Sequence, residues 1–267
     1  MRMPSSSRLA AARVAGPSAV PSRLAATVRT AGPSALSSRV GAATGIAGPA
    51  AFTGAWLVAS LRQTGHSAVA VQLSGLAAPG ARDPGIMIAG FVALGACSVA
   101  FGGSLHRALG GSGGSASPGR AGLGPRLIQW AGALTIAAGL LRRDHMMLGT
   151  PGAAVRESWH NHAHDLVSSI IYVTLVIAPL LLAVRFRGDA RWQRLWIPLL
   201  AGSAATAGLL GVFASSAWES WDPVLQRVAV TIPLAMVAAV AVRLLTLAPA
   251  RAGSRAPGWP HERAESA

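Results

Sequence analysis

The stretch IMIAGFVALGACSVAFGGSL, Ile86 to Leu105, runs for twenty residues without a charged side chain. That is the length an α-helix needs to cross a hydrocarbon core of about 30 Å, and the run lacks the period-2 alternation of a membrane barrel strand. Five further apolar runs accompany it: about Thr44 to Leu61, Leu127 to about His145, about His162 to Val184, about Leu195 to Ser216 and about Val228 to Leu245. In lipid only a helix satisfies every backbone group within one such segment. The chain is therefore predicted to be all-α, a polytopic membrane protein with a six-transmembrane-helix bundle over 44–246 and disordered tails over 1–43 and 247–267.

Composition points the same way. Of 267 residues, 52% are hydrophobic and 12% charged, about half the charged share of a soluble domain. All 23 basic residues are arginine, nine acids oppose them, and the formal charge is +14. A nucleic-acid binder gathers such charge on one soluble face, whereas here the arginines lie between apolar runs, so no nucleic-acid partner is expected. Exclusive use of arginine indicates a GC-rich bacterial coding sequence. The single cysteine, Cys97, excludes an intramolecular disulfide and a cysteine-type zinc site.

Alternate loops differ in charge. The tail, the loop from His106 to Arg126, the loop from Arg185 to Arg194 and the segment from Arg243 onward hold 17 arginines, against six on the other side. By the positive-inside rule both termini are cytoplasmic, in the inner membrane of a bacterium. Six of the nine acids lie on the outer side, which leaves that side neutral and puts the whole excess charge inside, where it attracts anionic membrane lipids. Residues 1–43 carry no acid and repeat AGPSA at Ala15 and Ala31, and no compact apolar core lies near Met1 as in a signal peptide. The segment Gly110 to Gly124 reads as a flexible cytoplasmic linker: it lacks the lysine of a nucleotide-binding phosphate loop. Trp130, Trp159, Trp192, Trp196, Trp218 and Trp221 fall at helix ends and read as interfacial anchors. Pro179, Pro198 and Pro233 lie inside apolar runs, where proline bends a helix.

Titratable groups collect at one mouth of the predicted bundle. Arg142, Arg143, Asp144 and His145 end the third run; Glu157, His160, His162, His164 and Asp165 precede or open the fourth. With the fourth helix starting near Ser158, His160 and His164 stand one turn apart on one face, a half-site for zinc or another divalent metal. Asp144 is the candidate third ligand; Ser74 in the first outer loop and Asp165 are candidates to orient substrate or a metal-bound water. The same residues also read as structure: Ser158 as a helix cap, Glu157 and Asp165 near a helix N-terminus, Asp144 paired with Arg142 or Arg143. His66, His106 and His261 offer no opposed partner for haem, and neither haem nor nucleotide is expected.

Several motifs together resemble the bacterial membrane proteins grouped as domain-of-unknown-function 998. They are GIAGPAAFTGAWLVA from Gly45, HSAVAVQLSGL from His66, GIMIAGFVALGACSVAFGGSLHRAL from Gly85, Asp144, and HNHAHDLVSSI from His160. The resemblance covers about 44–246 and implies six helices with polar positions at Ser74, Asp144, His160, His164 and Asp165; it implies no activity. His66 and the Arg142–Arg143 pair depart from the pattern, which has an aromatic residue and Phe-Pro there. A more distant likeness joins the serine, aspartate and His-x-x-x-His set to zinc-dependent transmembrane hydrolases of the ceramidase type. Three functions follow as expectations: a membrane protein with an extracytoplasmic His/Asp cluster between its third and fourth helices and no assigned activity, a metal-dependent hydrolase of a lipid-like substrate, and a small transporter. The last is the least supported, because the helix centres lack ionisable groups and no inverted repeat is traceable.

Overall fold

The computed structural model describes residues 33–64, 71–110, 122–144, 157–215, 217 and 219–247. The bulk of both tails, most of the Gly110–Gly124 linker, and His66, His145, Arg156 and Trp218 lie outside them. The described chain is helical, with α1 at Pro33–Arg62, α2 at Pro84–Gly110, α3 at Leu123–Leu140, α4 at Trp159–Arg187, α5 at Trp196–Ala214 and α6 at Asp222–Leu247. A 3-10 turn, Leu73–Ala77, sits between α1 and α2. Five of these helices are long and apolar enough to cross a membrane; α3, with 18 residues and an internal Arg126 and Gln129, is the exception.

Each helix packs on its neighbours in the chain, and α1 closes against α6, so the six form a ring. Successive helices run antiparallel. Gly124 at the start of α3 meets Leu182 near the end of α4, while His164 at the start of α4 reaches the carbonyl of Ala138 near the end of α3. The α2–α3 seam brings backbone onto backbone: a Cβ placed on Gly132 would stand 2.6 Å from the carbonyl oxygen of Gly95. Small residues permit that approach, which is how helices gain packing energy where lipid removes the hydrophobic drive between them.

Two apolar clusters sit at opposite ends of the ring. One joins Phe101, Leu105, Phe186, Trp192, Leu199 and Leu244; the other joins Phe52, Leu73, Leu76, Met87, Leu94 and Leu234. We call them the arginine end and the histidine end. Outside the clusters the helices stay apolar, with Leu61, Leu166, Val173, Val184 and Ile197 exposed. Helices apolar all round, presenting such a surface, match a lipid environment.

Four local expectations change. The first helix begins at Pro33 rather than Thr44, with proline in the opening turn where its missing N–H costs nothing. The third ends at Leu140, so Arg142, Arg143 and Asp144 leave the helix instead of ending it. Pro198 falls in the first turn of α5 and interrupts no helical hydrogen bond, while Pro179 and Pro233 are interior as expected. Trp192 is no interfacial anchor: it is 2% exposed and stacks on Phe186 with ring centroids 4.6 Å apart.

Candidate functional site

The histidine end is built around the start of α4. Ser158 is its N-cap, and its hydroxyl accepts a hydrogen bond from the Asn161 N–H at 3.3 Å. Asp144 holds that cap: its carboxylate accepts from the Ser158 N–H and from the Ser158 hydroxyl, both at 2.6 Å. The 141–144 loop is thereby tied to the helix that follows it.

Arg143 occupies the centre of the end. Its guanidinium donates to Gln72 Oε1 at 2.9 Å, to Asp165 Oδ2 at 3.1 Å and to Asn161 Oδ1 at 3.4 Å, with its side chain 12% exposed. The planar fork of arginine, with donors on three nitrogens, suits such divergent acceptors, where lysine offers its donors from a single atom. Asp165 also accepts from Asn161 Nδ2 at 3.3 Å.

His160 and His164 share a face of α4 as their spacing predicts, yet they occupy different surroundings. His160 is exposed and lies against the indole of Trp159, and His162 points toward Glu157. His164 is 3% exposed, and its Nδ1 stands 2.9 Å from the Ala138 carbonyl and 2.7 Å from that of Leu141. Two acceptors on one ring nitrogen require that nitrogen to carry the proton. His164 thus caps the last carbonyls of α3, which a helix end leaves without partners. In the neutral ring the other nitrogen, Nε2, is then an acceptor; it has no hydrogen-bond partner among the described residues.

His164 also lines a cavity of about 70 Å³ that includes Ser74, Ser168, Tyr172 and Gln226. Gln226 Oε1 accepts from the Leu73 N–H at 2.9 Å, which orients the amide so that Nε2 donates to the Tyr172 hydroxyl at 2.7 Å. The tyrosine therefore receives a hydrogen bond and keeps its own proton to give. Ser74, on the 3-10 turn and 5% exposed, has no hydroxyl partner among the described residues. One acceptor, His164 Nε2, and donors from Tyr172 and Ser74 remain available at a site whose described lining carries no formal charge.

Of the five residues singled out from sequence, the structure brings Ser74 and His164 into one cavity wall. Asp144 holds Ser158, Asp165 holds Arg143 and Asn161, and His160 lies at the surface. Among the described residues no three His, Cys, Asp or Glu side chains are grouped to hold a metal ion. Sequence reasoning passed over Tyr172, Gln226 and Asn161, and named Arg143 as a partner for Asp144 rather than for Asp165. Tyr172 carried a usable signal, being the single tyrosine of the chain and set inside an apolar run. Arg227, counted from sequence in an outer loop, instead belongs to α6, where it donates to the carbonyls of Pro223 and Val71 at 2.9 Å and lies over the Trp56 ring.

No curated protein and no solved structure matches the chain. The model of one family, described as "Protein of unknown function (DUF998)", matches residues 46–243. Spanning every helix of the ring, that match makes the chain a member of the DUF998 family.

Proposed function

We propose that this protein crosses a bacterial cytoplasmic membrane six times, with both termini inside, and that it binds an uncharged, hydrogen-bonding, lipid-like molecule in the Ser74–His164 cavity near the outer face. A sixth crossing by α3 is supported by its antiparallel packing along both α2 and α4 and by its length, 18 residues or about 27 Å at 1.5 Å per residue. The cytoplasmic placing of the arginine end is supported by Arg107, Arg126, Arg185, Arg187 and Arg243 near the ends of their helices and by Arg191 and Arg194 in the connection between α4 and α5, with Asp189 as the only acid among the described residues there.

The observation that carries the binding role is the spare hydrogen-bonding capacity inside the cavity. Buried polar groups are normally satisfied, and here His164 Nε2 and the Tyr172 and Ser74 hydroxyls present an acceptor beside donors without a described partner. A hydroxyl head, donor and acceptor at once, complements that set. The test uses octanol bearing a diazirine near its hydroxyl, photolysed with the protein in lipid nanodiscs. Adducts on cavity residues such as Leu73 and Ile171, depleted in Tyr172→Phe, support the reading; labelling spread evenly over the apolar surface overturns it.

A second reading is a metal-dependent hydrolase of a lipid-like substrate, with Asp144, His160 and His164 on the ion and Ser74 and Asp165 toward substrate or water. The one-turn spacing of the two histidines on α4 favours it. It requires Asp144 to release Ser158 and the exposed His160 to turn inward, whereas His164 would bind through Nε2 with its Nδ1–H still on the α3 carbonyls. Elemental analysis of purified wild type against His160→Ala tests it, since a stoichiometric metal lost with His160 is its signature.

A further inference from the structure

The cavity at the histidine end has a neighbour. A second one, of about 60 Å³, lies deeper in the ring, walled by Phe101, Ile128, Ala131, Leu199 and Val240 among others. The two share Leu94, Thr135, Leu175 and Leu234 as wall residues, so they adjoin. Their chemistry differs. The first presents serine, histidine, tyrosine and glutamine. In the second, Thr135 and Thr174 turn their hydroxyls onto the carbonyls of Ala131 and Ile170 in their own helices, at 2.7 Å each, Ser98 is the one further polar side chain, and the rest is hydrocarbon. Water occupies a cavity of the first kind, while one of the second kind stays dry and takes apolar matter. The interior prolines Pro179 and Pro233 both line the dry cavity, where the bend a proline imposes keeps neighbouring helices from closing together.

We infer that the ligand is a small uncharged amphiphile whose hydroxyl-bearing head rests among His164, Tyr172 and Ser74 and whose apolar body passes between Leu94, Leu175 and Leu234 into the dry cavity. The inference rests on the binding role proposed above and adds the shape and size of what is bound. No charged side chain is described in either wall, which disfavours phosphate and carboxylate heads. The combined space is close to that of an apolar protein cavity of about 150 Å³ known to admit benzene. The ligand is accordingly of the size of a phenol or a medium-chain alcohol, and a two-chain phospholipid does not fit.

Two photoreactive octanols in nanodiscs decide the matter, one with its diazirine near the hydroxyl and one with it at the chain end. The chain-end probe is expected to mark dry-cavity residues such as Leu199 and Met236, while the other marks the histidine cavity. Filling the dry cavity by Ala131→Leu, with Val237→Phe as a second filling variant, should cut the chain-end adducts there by about tenfold, the effect of denying burial to a few methylenes. Labelling by the near-hydroxyl probe reports that each variant is folded and its head site intact. If that probe succeeds while chain-end adducts fall on membrane-facing residues such as Val173 and Val184, or survive filling unchanged, the inference is overturned and the binding role stands. If the near-hydroxyl probe itself fails in wild type, the binding role falls as well.

Discussion

Arg143 and Arg191, one at each end of the ring, are used in opposite ways. At the histidine end Arg143 is turned inward with its side chain 12% exposed, and Arg227 is buried with two backbone carbonyls as acceptors. At the arginine end Arg191 is 46% exposed, its fork on Asp189, while Arg243 reaches the carbonyl of Arg191 and the hydroxyl of Thr246. The interiors differ as well: the stacked pair Phe186 and Trp192 fills one end, and the Ser74–His164 cavity opens the other. A buried cation is tolerated only with acceptors around it, so the histidine end must import glutamine, asparagine and aspartate to host Arg143. The arginine end, closed by aromatic stacking, is expected to carry stability and membrane orientation.

Removing the aromatic closure gives the largest expected effect. Trp192→Ala deletes a fully buried indole and should cost about 3–5 kcal/mol, seen as a fall on the order of 10 °C in the midpoint of thermal aggregation in detergent. Octanol labelling of whatever remains folded should be unchanged. A shift confined to a degree or two would mean that this end is not the stabilising one. Arg143→Ala comes next. Because Asp165 is partly solvated, the loss is below that of a fully buried pair, about 2 kcal/mol. A double-mutant cycle with Asp165→Asn should return a coupling of about 1 kcal/mol, and additivity within error would show that the pair is only a surface contact.

The contrast between the ends also marks how far the amino-acid sequence could be read. The helices were legible because apolar runs such as Ile86 to Leu105 have one physical solution in lipid. So was the Ser158 cap, which depends on residues three positions apart. Contacts between distant segments were not legible. That the Asp144 carboxylate holds the next helix cap was not foreseen, and no local pattern encodes a 14-residue gap closing back on itself. The role of His164 on α3 depends on where α3 stops. Gln226 and Tyr172, 54 positions apart, meet only because α4 and α6 both begin at the same end of the ring.

A smaller effect separates the site from its scaffold. Tyr172→Phe removes a hydroxyl that accepts from Gln226 and leaves that amide donor without its partner, at a stability cost of about 1 kcal/mol. Near-hydroxyl octanol labelling should fall more than that loss of stability explains, because the donor facing the cavity goes too. Equal decline of both would place Tyr172 in the scaffold alone.

The smallest effect lies at the arginine end and is read by pH. The Arg191 guanidinium bonded to Asp189, helped by the Arg191 backbone N–H, holds the Asp189 carboxyl below the usual carboxylate range despite partial desolvation. A group whose folded value is lowered contributes stability that is fully present above its unfolded value, about 3.9, and is lost as pH falls through the folded value. The difference in unfolding midpoint between wild type and Asp189→Asn should therefore be constant above about pH 5 and shrink toward zero in stronger acid. Its plateau should stay under about 1 kcal/mol, because the ion pair is open to solvent on the Arg191 side. A plateau several times larger, or a difference that grew on acidification, would place a buried ionic strut at this end too and erase the distinction between the two uses of arginine.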